Sequence, residues 1–183
     1  MVEVKRVSNI SELEGIKKLQ EINLSGNISP EEASHEGFLT ASYTMDFLLK
    51  MHNDEPSIIA KVDDDVVGYA LVSTKKMRFS HDLLEGLFNA IDNCEYRQQS
   101  LSEINYVVVG QLCVAKDYRG KGLVQQLYAH FRDCLHDHYD YLVTDIAKSN
   151  VRSLKAHQKS GFQVINELEY GGFGWDIVIW DWR

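Results

Sequence analysis

The sequence contains no apolar run approaching the ~20 residues that a membrane-spanning helix needs. Its opening residues, Met1-Val2-Glu3-Val4-Lys5-Arg6, lack the apolar core of a signal peptide. Positive charge is scarce: 19 Lys and Arg face 27 Asp and Glu, for a net charge of −8. That balance speaks against a nucleic-acid or anionic-membrane binder, so an anionic ligand must be met by a local basic patch. Cysteine is sparse too. Cys94, Cys113 and Cys134 have neither the spacing of a disulfide framework nor that of a zinc site, and Cys113 and Cys134 fall on apolar faces. Reduced thiols and a cytoplasmic location are expected. His130 and His136 do not share a helix face, so no metal site is expected from them or from His138. Asp63-Asp64-Asp65 lacks the distal glutamate of a calcium loop and reads as a turn. With no repeat, low-complexity stretch or linker, the 183 residues suit a single domain, 1–183.

What the chain does contain is a regular alternation of elements. Val2 to Val7 alternates apolar and charged residues, as a half-buried strand does. Ser11 and Glu14 have capping-box spacing, and Leu13, Ile16 and Leu19 line a helix. Asn23 to Glu36 is polar, with Gly26 and Pro30, and reads as loop. Phe38 to Met51 contains a helix with Met45, Phe47, Leu48 and Leu49 inward. Ser57–Val62 and Val66–Ser73 form a hairpin. Leu83, Leu84, Leu87, Phe88 and Ile91 recur at helical spacing within Phe79–Tyr96. Near the end, Phe162–Leu168 and Trp175–Trp182 form an antiparallel pair. The last strand, rich in aromatics, is expected at an edge, where it offers a surface for a homodimer.

The segment Val107–Phe131 carries the strongest signal. A buried strand runs into Ala-Lys-Asp-Tyr-Arg-Gly-Lys-Gly and straight on into a helix whose Leu123, Val124, Leu127, Tyr128 and Phe131 share one face. The first N–H groups of that helix have no intrahelical partners. Those donors, the helix dipole and the cations Arg119 and Lys121 converge on one point, as a phosphate site requires. Leu123 stands where a P-loop needs Ser or Thr, and Gln125 where a dinucleotide fingerprint needs a third glycine. Downstream, strand-like Tyr141–Ile146 is followed by Asn150 and by a short helix, Ser153–Ser160, that ends at Gly161 and runs into Phe162.

Together these segments resemble the GNAT N-acetyltransferase superfamily. Gly120 and Gly122 match its pyrophosphate loop. Asn150, Ser153, His157, Gly161 and Phe162 match its pantetheine segment at the right spacing. Asp117 stands where the family usually has Gln or Arg, and His157 where many members carry tyrosine. The resemblance implies an α/β (α+β) fold: a mixed, mostly antiparallel sheet of about seven strands flanked by helices. It implies acetyl-CoA as co-substrate, bound by Leu112 and Val114 through their backbone and by Arg119, Gly120, Lys121, Gly122, Leu123 and Asn150.

The expected reaction is N-acetylation of the primary amine of a small molecule or peptide. His157 is expected as the acid that protonates the thiolate, and Asp145, or Glu103, is a candidate base. As an N-cap alone, Asn150 would already be accounted for. The alternative is an acyl-CoA-binding sensor or interaction protein with little or no turnover.

Overall fold

A computed structural model describes residues 1–24, 26–29, 39–170 and 172–183, and of Tyr170 the backbone alone. Much of the loop expected over Asn23–Glu36 falls outside these residues, as does Phe38, while 39–44 precede the helix expected within Phe38–Met51, which begins at Met45.

In chain order the elements are β1 (Glu3–Arg6), α1 (Ile10–Asn23), α2 (Met45–Asp54), β2 (Ile58–Val62), β3 (Asp65–Ser73), a 3₁₀ segment (Lys75–Ser80), α3 (Asp82–Asp92), the short pair β4 (Glu95–Tyr96) and β5 (Gln99–Ser100), β6 (Tyr106–Val114), α4 (Leu123–Leu135), β7 (Tyr141–Ala147), α5 (Val151–Lys159), β8 (Gln163–Tyr170) and β9 (Phe173–Asp181). Seven strands form one sheet in the order β1-β2-β3-β6-β7-β9-β8, and every neighbouring pair is antiparallel except β6 with β7. The mixed, mostly antiparallel sheet flanked by helices matches the expectation.

Alternation along the strands gives the sheet two apolar faces. One buries Tyr69, Leu71, Tyr106, Val108, Tyr141 and Val143 under α1, α2 and α3. The other buries Val72, Val107, Val109, Leu142 and Val178 under Leu123, Leu127, Tyr128 and Phe131 of α4. Among the described residues, no helix is long and apolar enough to cross a membrane.

Four details differ from the sequence reading. The cap of α1 is Asn9, whose side chain accepts from the Glu12 N–H at 3.0 Å, two residues before the expected Ser11. Glu12 is recruited elsewhere: its carboxylate accepts from the Ser8 N–H at 2.8 Å and pairs with Lys5 and Lys61 at 2.6 and 3.2 Å. On α2, Phe47, Leu48 and Met51 are buried, whereas Leu49 faces out. The insert between β3 and β6 begins as a 3₁₀ turn, so Phe79 is exposed and the α-helix starts at Asp82. Finally, β9 lies between β7 and β8. The true edge is β8, which carries Glu167 and Glu169 and a register shift between Val164 and Asn166, devices that blunt edge pairing. The argument for a dimer through the last strand is therefore lost.

Candidate active site

Two neighbouring strands part company at the centre of the sheet. The parallel ladder of β6 and β7 runs through Tyr106↔Tyr141, Val107↔Leu142 and Val108↔Val143 and ends there. Beyond it, β6 continues to Val114 against β3, and β7 continues to Ala147 against β9. The Thr144 hydroxyl donates to the Val109 carbonyl at 2.8 Å, at the fork.

The cause is a bulge at Gly110. Leu71 pairs with Gln111 and Val72 with Val109, which leaves Gly110 without a partner on β3. One extra residue switches which side chains face which way. Before it, the even-numbered Tyr106 and Val108 lie on the α1–α3 face; after it, Cys113 does. A side chain on Gly110 would force Ser73 to shift, because its Cβ would stand 2.5 Å from the Ser73 hydroxyl.

The bulge also sets the direction of the backbone. The Ala115 N–H donates to the Val67 carbonyl, so 115, 113 and 111 are the positions bonded to β3. The N–H and C=O groups of Leu112 and Val114 therefore turn into the fork.

A cleft of about 730 Å³ opens on one side of the fork. Leu112 and Val114 line it together with Gly120, Gly122, Leu123 and Asn150. Gly120 and Gly122 sit at φ +74° and +77°, in the left-handed region that favours glycine. Gly122 occupies the cap position of α4 with no side-chain cap, so the first N–H groups of the helix are left for a ligand. Among the described residues, the charged ones lining this cleft are Arg119, Arg152, Lys155 and Lys159, all cationic. Arg119 is held from inside: its Nε donates to the Val114 carbonyl at 2.9 Å and its guanidinium also reaches Asn23 on α1. Lys121 is exposed, with its ammonium 5.6 Å from the Tyr118 ring centre, and Asp117 is exposed on the preceding turn. The Asn150 side chain accepts from the Ser153 N–H at 3.2 Å, so it does cap α5, and it also borders the cleft. Basic charge, an uncapped helix start and open strand edges suit a long ligand with a pyrophosphate at one end and amides along its length.

A second cavity, of about 510 Å³, lies on the other side. Its charged lining is acidic: Asp82, Asp145 and Glu169, with no Lys or Arg among the described residues that line it. The two cavities meet at Leu39, Leu112, Asn150 and Ser153. Burial pushes the Asp145 carboxyl up to about 6, against a hydrogen bond from its own backbone that pulls it down. Such a group changes charge close to neutrality.

The sequence pattern of the acetyltransferase (GNAT) family matches residues 23–162, most of the chain. The chain belongs to the GNAT acetyltransferase family. No match is found among curated proteins. Solved structures share its fold at low identity. An acetyltransferase of the GNAT family from Streptococcus agalactiae is 14% identical with TM-score 0.67, covering 100% of this chain and 96% of its own. The ribosomal-protein-S18-alanine N-acetyltransferase from Escherichia coli is 10% identical with TM-score 0.63, covering 99% and 94%. The protein yncA from Salmonella typhimurium, solved with its cofactor acetyl-CoA, is 14% identical with TM-score 0.65, covering 100% and 95%.

In this GNAT chain His157 borders the acidic cavity but is deeply buried. It is 3% exposed, packed 5.2 Å from the Tyr128 ring and 5.1 Å from that of Phe162. Its Nδ1 lies 2.8 Å from the Ser153 carbonyl, which can only accept, so Nδ1 carries the proton. Its Nε2 then accepts from the Tyr128 hydroxyl at 2.6 Å. Burial holds the imidazole down at about 4, against the pull of the Ser153 carbonyl, so the ring is neutral near pH 7. An imidazolium acid does not fit this position. Glu103 lies exposed ahead of β6, at the end remote from the fork, and lines neither cavity.

The structure adds residues that the motifs did not mark. Gln111 accepts from the Gln20 amide and the Tyr69 hydroxyl, both at 2.7 Å, and donates to the Ala41 carbonyl at 2.8 Å. The Tyr43 N–H donates to Gln20 at 2.8 Å. These bonds pin the 41–43 segment over the acidic cavity. Arg152, Lys155 and Lys159 are spaced i, i+3, i+7, a one-sided basic stripe visible in the sequence.

Proposed function

We propose that this protein transfers the acetyl group of acetyl-CoA to the primary amine of a small molecule or peptide. One observation carries the reading: a basic cleft and an acidic cavity meet at the backbone of Leu112, between strands that have separated. Acetyl-CoA, the co-substrate of GNAT enzymes, supplies the thioester. Gly120, Lys121, Gly122 and Leu123 hold its pyrophosphate through backbone N–H groups and the Lys121 charge, and Arg119 braces the loop from behind. Leu112 and Val114 bond the pantetheine amides as an added strand would, and Asn150 closes the junction.

The acidic cavity attracts the acceptor as an ammonium ion, and Asp145 takes its proton. The neutral amine then forms the new C–N bond. The backbone N–H at Leu112 is preorganised for the charge that gathers on the thioester oxygen. As the C–S bond breaks, the thiolate takes the second proton that the attacking nitrogen must lose. His157 keeps α5 in place through Tyr128 and Ser153 and gives no proton. A carboxyl held near neutrality at the floor of the second cavity favours turnover over a binding-only sensor. Unpaired thiols at Cys94, Cys113 and Cys134 support a cytoplasmic location.

The test is thiol release from acetyl-CoA over a panel of amines, with Asp145→Asn alongside. The reading requires amine-dependent release that the variant loses while acetyl-CoA still binds. Binding of acetyl-CoA with no amine raising thiol release would refute it.

A further inference from the structure

The wall of the acidic cavity opposite the sheet is α3, and it turns one helical stripe inward: Leu83, Gly86, Leu87 and Ala90, at i, i+3, i+4, i+7. Glycine in mid-helix costs about 0.5–1 kcal/mol relative to alanine, so its presence needs a reason. Close packing does not supply one, because a Cβ at Gly86 would meet nothing within 4 Å. The glycine leaves a notch between leucines in a cavity wall. Several of the polar side chains nearby are already engaged within the protein. Gln111 makes three bonds, Thr144 donates to Val109, Asn93 to the Asn89 carbonyl at 2.9 Å, and Asn166 to the Cys94 sulfur at 3.3 Å. A hydroxylated body would lose more hydrogen bonds to water than these groups leave for it to make. A carboxylate would face Asp82, Asp145 and Glu169.

We infer that the acceptor is a primary amine on a bulky apolar body without a carboxylate, its body seated in the notch at Gly86. The inference rests on the acetyl-transfer reading above and narrows it.

Four probes test it by thiol release: phenethylamine, phenylalanine (the same body with a carboxylate), glucosamine (an amine on a hydroxylated body) and propylamine. The expected kcat/KM for phenethylamine exceeds those for phenylalanine and glucosamine by roughly 10²-fold. Gly86→Leu fills the notch and favours the helix. It should lower kcat/KM for phenethylamine at least roughly tenfold and leave propylamine within about threefold, with acetyl-CoA affinity and thermal stability undiminished. A Phe-Ala dipeptide amide as a further arm separates the two sources of such an amine, and turnover of either supports the inference. Phenylalanine or glucosamine turned over as well as phenethylamine would overturn it, as would a Gly86→Leu variant with unchanged preference. Glucosamine accepted and phenethylamine refused would sink the inference and leave acetyl transfer standing. Acetyl-CoA bound with every amine refused would sink both.

Discussion

The two cavities on either side of the β6–β7 fork differ in almost every respect except their shared edge. One is lined by cations and built from main chain: two left-handed glycines, an uncapped helix start and the open edge of a strand. The other is acidic, walled by side chains from α3, the 41–43 segment and the end of the sheet, with one carboxyl tuned by burial. On the proposed reading, main chain recognises what every acetyl-CoA carries. Side chains, on the same reading, recognise whatever one particular acceptor carries. The single residue Gly110 makes the pair possible, because its bulge opens the fork and turns Leu112 toward both.

The sharpest way to break this contrast is at Asp145. Asp145→Asn should lower kcat by roughly 10²-fold or more, the range for loss of a general base, with acetyl-CoA affinity unchanged by calorimetry. The variant should also be at least as stable as the wild type above pH 6. The folded carboxyl is raised from 3.8 to about 6, so its ionisation costs stability as pH rises through that window. A denaturant titration at pH 7 reads this.

Gly122→Val attacks the other side. At φ +77° a β-branched residue is strained, and its side chain would cover the helix N-terminus. Acetyl-CoA affinity should weaken at least tenfold, about 1.4 kcal/mol, while the KM for the amine stays near that of the wild type. Lys155→Glu is a milder version: a several-fold loss of acetyl-CoA affinity that shrinks at high salt, measured by the same titration at two ionic strengths.

A change outside both cavities completes the set. Burial raises the Glu12 carboxyl, but Lys5, the Ser8 N–H and Lys61 outweigh it and hold the group at about 2, below its ordinary 4.5. The stability this contributes is present above pH 4.5 and is lost as pH falls toward 2. Glu12→Gln should cost roughly 1–3 kcal/mol at pH 7, read by urea unfolding, and move neither ligand affinity.

The contrast between the cavities also explains what could be read from the sequence. The cofactor side is written in local patterns. Gly120 and Gly122 are needed for their backbone angles, and Asn150 begins a helix, so short motifs with fixed spacing reveal them. The acceptor side is assembled from Tyr43, Gly86, Asp145 and Glu169, far apart in the chain and brought together only by the sheet order. His157 illustrates the limit of motif transfer. Its position matched, but its ring lies beneath Tyr128 and Phe162, and burial rather than position sets its protonation. The placement of β9 failed for a similar reason. Aromatics near the end of the chain suggested an edge, yet β9 doubles back between β8 and β7, and Trp180 and Trp182 pack on the α4 side of the core.

The most direct test of the account is the pH dependence of kcat/KM for an accepted amine in the wild type and in Asp145→Asn, at saturating acetyl-CoA. The Asp145 carboxylate is the active form, so the wild-type rate should rise with pH through a limb centred near 6, and that limb should be absent from the variant. An identical limb in both proteins, or none in the wild type, would contradict the assignment of Asp145 as the group that prepares the amine.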